Sequence, residues 1–484
     1  MGQGVDGGSR PDLRANTGSH FNIGSRAGER FPNPGERRRT AASFRRKRGF
    51  EAASCNPRAR RYDEPCARFF ALLAAPRRGW GLRVKIVAIT NLYPPYILGG
   101  YEVLCETTVK ALAARGHETR VLTSRHGLIP GVKYPTEPGI RRVLELDHPF
   151  GEPGEASFKR RWELRSANGE ACRKELQAFG PDVALVWSQD RLTLGPTSAA
   201  EALGIPAVWF LCDDHLTRFL AHPFSAHPVR LLEALAERAW RRELTVATAQ
   251  LGHSLCISRS LRERLANAGI PVSHAQVYCP GIELERYPLK GNAGRLHRPP
   301  RLLYLGPVRP NKRVEVILRA LSLLVEEGGA GLSLTVAGDG DEAYVQSLKR
   351  VAEDLGVARE TLFMGRMPYE SIPLVYRDHD IFVYASVWDE PFGLTHLEAM
   401  ASGCPVVSTD CGGPTEYLRH EENALVVEKD SPRALTSAIG RLLHNAILRG
   451  NLVANARQMV EAKFSARQRL DELEAYLRKV AGAA

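Results

Sequence analysis

The sequence predicts an α/β protein made of two doubly wound parallel-sheet domains that face a central cleft. Three observations lead there. Short apolar runs alternate with helix-length segments along the chain, and the series occurs twice. The segment His297-Arg298-Pro299-Pro300 separates the two series. Glycine turns recur between an apolar run and a helix start, where bare backbone can approach a phosphate or sugar oxygen.

The chain has 484 residues, 44% of them apolar, enough for two cores. No apolar run approaches the roughly 18 residues of a membrane span, and the N-terminus lacks a signal-peptide core. Nine cysteines lie scattered without a C-x-x-C pair. That argues against a disulfide framework or a zinc site and fits a reducing cytoplasm. The net charge of +12 is concentrated in residues 1–80, which carry 17 Lys+Arg against 7 Asp+Glu. Nucleic-acid binding by the folded body is therefore not expected.

Residues 1–82 read as a disordered basic leader, rich in Gly, Arg, Pro and Ser and without period. Its cluster Arg45-Arg46-Lys47-Arg48 is of the kind that touches nucleic acid or anionic lipid. The abrupt start of the folded pattern at Leu82-Arg83-Val84-Lys85 equally fits a leader that comes from a mis-assigned start.

The first domain is expected over 83–290. Val84–Thr90 is its first buried strand, and a loop then ends in Gly99-Gly100 before a helix from Tyr101 to Arg115. His117 reads as a turn residue ahead of the strand Thr119–Thr123, and 125–157 reads as one long loop. A helix Phe158–Phe179 follows, then strands Ala184–Trp187 and Ala207–Leu211, the latter ending in Cys212-Asp213-Asp214-His215. Pro228–Leu244 is basic and amphipathic, suited to packing on its own domain or to lying on an anionic membrane. Ser258 should cap a helix Arg259–Ala268 after the strand Ser254–Ile257. The turn Pro280-Gly281-Ile282-Glu283 closes the domain.

The second domain is expected over 291–465. It opens with the strand Arg301–Leu305, then Gly306 to Arg313, then a helix from Val314. Strands follow at Leu332–Ala337, Leu362–Gly365 and Ile381–Tyr384, with a helix Tyr369–Tyr376 between the last two. The stretch Glu390–Glu416 organises the domain: a carboxylate, a glycine turn, a helix bearing Glu398, a short strand, and a second glycine turn leading into another helix start that bears Glu416. Backbone N–H groups at Gly393, Leu394 and Thr395 would face a phosphate, favoured by the helix dipole. Glu390 and Glu398 are two helical turns apart, so both would look into one crevice. After the strand Ala424–Val427, helices run from Pro432, and residues 466–484 should carry a last helix back to the first domain.

The pattern E-P-F-G-L-x-x-x-E-A-M-A-x-G-x-P-V-V, followed by G-G-x-x-E, resembles the retaining family 4 glycosyltransferases of GT-B fold, the glycosyl transferases of group 1. The resemblance covers most of the chain after about residue 83 and is stronger in the C-terminal half. It implies transfer of a sugar from a nucleotide-diphosphate donor to a hydroxyl of a saccharide, lipid-linked or small-molecule acceptor. Retention of anomeric configuration and independence of metal are implied too. The nucleotide-sugar is then a co-substrate, and no cofactor is expected.

Carried onto this sequence, the resemblance puts Glu390 on the sugar hydroxyls and Glu398 on the ribose. Gly306, Gly393, Leu394 and Thr395 fall to the donor, and Gly99 and Gly100 to the junction of donor and acceptor. Lys312 matches a cation for the leaving diphosphate, which gains charge in the transition state. Pro307 stands where the family has a second cation, an arginine, and Arg309 is the candidate replacement. Asp213 matches the aspartate of a His-Asp pair whose histidine position holds Cys212. Two D-x-D pairs, Asp339/Asp341 and Asp378/Asp380, sit where the family has ordinary turns, so no metal site is expected. The changes at Pro307 and Cys212 keep open a catalytically inactive nucleotide or sugar binder. A cytoplasmic location is expected, with peripheral contact at the inner membrane face left open.

Overall fold

The computed structural model describes residues 83–126, 138–150, 156–220, 245–291, 294–328 and 331–482, together with 232 and 235. The expected basic leader and the amphipathic helix Pro228–Leu244, apart from those two residues, lie outside the described residues.

The first half contains β1 (Lys85–Ile89), α1 (Gly100–Ala114), β2 (Glu118–Ser124), β3 (Ile140–Leu144), α2 (Phe158–Phe179), β4 (Val183–Val186), α3 (Gly195–Ala202), β5 (Ala207–Leu211), β6 (Ser254–Cys256), α4 (Arg259–Asn267) and β7 (Gln276–Val277). Its seven strands run in the order β3-β2-β1-β4-β5-β6-β7, all parallel. β1, β4 and β5 are apolar and almost wholly buried, as in a sheet covered on both faces. Ser157 and Ser258 cap α2 and α4 by accepting from the N–H groups of Arg160 and Leu261.

The second half contains β8 (Arg301–Leu305), α5 (Val314–Glu326), β9 (Ser333–Ala337), α6 (Glu342–Asp354), β10 (Thr361–Gly365), α7 (Ile372–Arg377), β11 (Ile381–Tyr384), α8 (Leu394–Ser402), β12 (Val406–Thr409), β13 (Leu425–Val427), α9 (Pro432–His444), α10 (Ala446–Lys463) and α11 (Ala466–Val480). Six parallel strands run in the order β10-β9-β8-β11-β12-β13. In both sheets strand order reverses at the first strand of the half, between β1 and β4 and between β8 and β11. Ligands bind doubly wound sheets outside the carboxyl ends of the strands at that point. The loops there hold Gly99-Gly100, Gly306 and Glu390.

Four expectations about local structure are corrected. The segment 125–157 is not a single loop: β3 forms the sheet edge, and its Ile-Arg-Arg-Val-Leu sequence hides it because only Leu144 is buried. β7 was also not anticipated, being two residues long. The expected helix Tyr369–Tyr376 is a 3₁₀ turn, Tyr369–Ser371, followed by α7, which has proline in its first turn. The expected helix at Glu416 is a short 3₁₀ turn, Gly413–Glu416.

Two of the joins between the halves run through α11. The segment after Gly281 runs beside the start of α11, with Ile282 N–H donating to Phe464 O (2.8 Å) and Ala466 N–H to Ile282 O (2.9 Å). α11 then packs on α1, where Glu474 takes Arg115 (2.8 Å) and His117 Nε2 (3.0 Å). His117 Nδ1 accepts from Val84 N–H (3.3 Å), so this histidine buckles α11 to β1. No described helix is long and apolar enough to cross a membrane.

Candidate active site

A cleft of about 400 Å³ opens between the halves, at the strand ends where both sheets reverse order. The first half contributes Gly99, Gly100 and one face of α1, and the second contributes Gly306, Leu394, Thr395 and Glu398. Two helix N-termini therefore border it, those of α1 and α8, and each presents unpaired first-turn N–H groups and a partial positive charge. Gly393, the N-cap of α8, has φ +82°, and a Cβ there would lie 2.8 Å from Pro414 Cγ and 2.9 Å from His396 Nδ1. Only glycine satisfies both the left-handed backbone and that space. A Cβ on Gly100 would lie 3.8 Å from Leu394 Cδ1, so the two glycine loops face each other across the cleft. Glu102, buried in the first turn of α1, accepts from Gly99 N–H (3.0 Å) and holds that loop in place.

Glu398 is buried at the cleft wall and accepts from the Tyr376 hydroxyl (3.0 Å). Burial raises its pKa to about 7, against the pull of the Tyr287 and Tyr376 hydroxyls and Arg286. Glu283, from the turn that ends the first half, lines the same cleft. Burial, reinforced by the charges of Glu285 and Glu398 and opposed by Arg286, likewise raises it to about 7. The Arg286 guanidinium lies 3.7 Å from the centre of the Tyr369 ring, and Tyr287 and Tyr369 complete an aromatic wall. Between about pH 4.3 and pH 7 the folded protein holds protons on these carboxylates that the unfolded chain has released. Stability accordingly falls as pH rises through that window. Thermal melts from pH 5 to 8 should show a shallower decline for Glu398→Gln than for the wild type; equal slopes would refute the assignment.

Glu390 is elsewhere. It precedes α8, pinned by a parallel bridge to Gly412, so the spacing of Glu390 and Glu398 is not helical and the two carboxylates do not share one crevice wall. Its Oε1 accepts from Lys312 Nζ, from the Tyr384 hydroxyl (2.9 Å) and from Ser386 Oγ (3.1 Å). Lys312 and Glu390 are 9% and 12% exposed, a largely desolvated ion pair beneath the ring of Tyr384. Tyr384 stacks on Tyr304, and both rings border Gly306. The floor beneath the α8 turn is the buried His396, whose Nε2 lies 2.9 Å from Ser408 Oγ. Burial holds its pKa down to about 3, so it is neutral.

Neither Arg309 nor Asp213 lines this cleft. Arg309 is exposed, N-cap to the 3₁₀ turn Pro310–Lys312, while the guanidinium on the cleft belongs to Arg366. Asp213 sits at the end of β5, where its Oδ1 meets His215 Nδ1 at 2.5 Å. Burial would raise its pKa, but the His215 charge and hydrogen bonds, helped by Arg264, bring it below the usual value. Asp213 and His215 therefore form a pair at the end of β5. Arg264 also donates to Asp389 O (2.8 Å), and Glu416 accepts from Arg259 N–H (2.7 Å), so two contacts tie α4 to the second half.

The D-x-D aspartates have other partners. Asp339 binds Arg366, Asp341 caps α6, and Asp380 accepts from the N–H groups of Arg301 (2.8 Å) and His297 (3.0 Å). Among the described residues no group of three or more His, Cys, Asp or Glu is placed to hold a metal.

Comparison with known proteins decides the family. The family profile "Glycosyl transferases group 1" matches residues 289–459, and "Glycosyltransferase Family 4" matches residues 98–286. The chain belongs to the group 1 glycosyltransferases. It is an enzyme of hexosyltransferase type with the GT-B fold. An uncharacterized glycosyltransferase of Methanocaldococcus jannaschii is 26% identical over 79% of this chain and 95% of its own. A GDP-mannose-dependent alpha-(1-6)-phosphatidylinositol monomannoside mannosyltransferase of Mycolicibacterium smegmatis is 28% identical over 45% of this chain and 65% of its own. Among solved structures, Anabaena HepE in complex with UDP and glucose superposes with a TM-score of 0.59 at 18% identity, over 82% of this glycosyltransferase and 100% of HepE. Sucrose-phosphate synthase of Thermosynechococcus elongatus gives 0.62 at 20% identity, over 83% and 100%.

Proposed function

We propose that this glycosyltransferase moves a sugar from a nucleotide-diphosphate donor to an acceptor hydroxyl, with retention and without metal. The acceptor is a saccharide, a lipid-linked saccharide or a small molecule. The observation that carries the reading is the cleft with two glycine-led helix N-termini on either side and a buried carboxylate, Glu398, on its wall. A diphosphate suits the N–H groups of Leu394 and Thr395, and the ribose hydroxyls suit Glu398. Lys312, held by Glu390 beside Gly306, is placed to take up charge as the diphosphate leaves. The Asp213–His215 pair falls on the acceptor side, at the end of β5. Its relatives and structural neighbours include a GDP-mannose-dependent enzyme and a protein in complex with UDP and glucose, which supports a nucleotide-sugar donor.

The test is thermal stability with UDP, GDP, ADP and their sugars, on wild type and Glu398→Ala. At about 100 times Kd a ligand adds roughly 2.7 kcal/mol. One nucleotide should raise the melting temperature of the wild type and not of the variant. A wild type that answers to none of them would refute the donor site.

A further inference from the structure

The edges of the two sheets are guarded unequally. β3 carries Arg141 and Arg142 at its centre, β7 is two residues long and β13 three. Charge and shortness keep an edge strand from pairing with another chain. β10, which ends the second sheet, has neither: it runs for five residues, Thr-Leu-Phe-Met-Gly, with no charge among them. Leu362 and Met364 share one face of it and are 57% and 40% exposed. Its outer backbone is unpaired among the described residues. Glu360 O accepts from Leu334 N–H of β9 (2.8 Å), and alternate residues of a parallel ladder serve the same neighbour. Leu362 therefore turns its backbone groups to β9, while Thr361 and Phe363 turn theirs outward.

We infer that β10 is the seat of a homodimer, in which two copies of this chain pair antiparallel about Phe363 and join their second sheets into one. The strand is complementary to itself in that register. Phe363 meets Phe363 of the second copy and the two exchange both backbone hydrogen bonds, using the groups that face outward. Leu362 falls opposite Met364 of the second copy, as a pair without hydrogen bonds, where side chains stand closest. Both apolar side chains that β10 now leaves in water are thereby covered. Glu360, just before the strand, falls opposite Arg366, just after it, so unlike charges flank the apolar centre at both ends. The Arg366 side chain is open enough to take a second carboxylate besides Asp339. Centring the pair on Thr361, the other outward-facing residue, would set Glu360 against Leu362 and leave Met364 in water. A two-fold pair of this kind uses the same patch on each copy and closes at two. Because the strands run antiparallel across the axis, the two clefts, at the carboxyl ends of their strands, open in opposite directions.

The dimer does not depend on the donor reading. Sedimentation velocity of the full chain, from sub-micromolar to high micromolar concentration, should show a monomer passing into a dimer and no larger species. Leu362→Lys, at an exposed position that the fold tolerates, should raise the dimer dissociation constant about tenfold or more. Its thermal melt, compared with that of the wild type at a concentration where both are monomers, should be unchanged. The register is read by cysteines. Leu362→Cys and Met364→Cys are oxidised separately and as a mixture, with the wild type as control for the native cysteines. The mixture should yield a disulfide-linked dimer and the separate variants little, because directly opposite Cα atoms lie within reach of a disulfide and diagonal ones do not. A wild type that stays monomeric throughout, a Leu362→Lys variant that dimerises as well as the wild type, or cross-linking no greater in the mixture than in the separate variants would each overturn the inference.

Discussion

Replacing Lys312 with methionine should destabilise the protein by about 3–5 kcal/mol and remove transfer activity. The substitution roughly preserves the volume of the side chain but strands the Glu390 carboxylate, 12% exposed, with only the Tyr384 and Ser386 hydroxyls to hold it. Uncompensated buried charge is the costly state, not the absence of an ion pair. The double variant Lys312→Met/Glu390→Gln should therefore regain most of the stability while staying inactive. Its transfer rate should remain down by about 10²–10³-fold or more, because the lysine that takes up charge as the diphosphate leaves is gone. Urea unfolding and a transfer assay on wild type, both single variants and the double variant close the cycle. A double variant no more stable than Lys312→Met would show that the pair does not govern this corner of the fold.

The second large effect is expected at Glu474. This carboxylate of α11, 3% exposed, receives Arg115, His117 and Arg478. Burial would raise its pKa, but those three hydrogen bonds hold it down to about 2. A depressed carboxylate adds stability above its unfolded value of about 4.3, and the contribution fades as pH falls through that value towards 2. Glu474→Ala takes the carboxylate from His117 Nε2 and leaves Arg115 on Asp471 (2.7 Å), and should cost about 3 kcal/mol at neutral pH. Hydrogen exchange should accelerate first in residues 466–480, while the strands of the second sheet stay protected. Uniform acceleration over both halves would mean that α11 is not a separable clasp.

The contrast between these sites and the rest of the chain explains what could be read in advance. The strand Ala207–Leu211, the helix Phe158–Phe179 and the cap at Ser258 are visible because their signals lie in consecutive residues. The edge strand β3 was not, since a strand with arginines at its centre lacks an apolar signature until its neighbour β2 is known. Glu283 was legible as a turn residue and nothing more, because its role depends on Glu398, which meets it only across the cleft. Asp213 was in view, but whether His215 would reach it depended on the 3₁₀ turn His215–Phe219 that follows β5.

By itself the sequence determined the two alternating series, hence two parallel sheets and a cleft at their switch points. It also determined the glycine at the start of α8, because backbone geometry and apolar period are local properties of the chain. Tertiary structure decided which charges act. It turned Lys312 to Glu390, left Arg309 in solvent, carried Arg366 from the end of β10 to the cleft mouth, and kept Glu390 off the cleft that Glu398 lines. Charge acts over distance and through burial, and both are fixed only when segments remote in sequence have packed together.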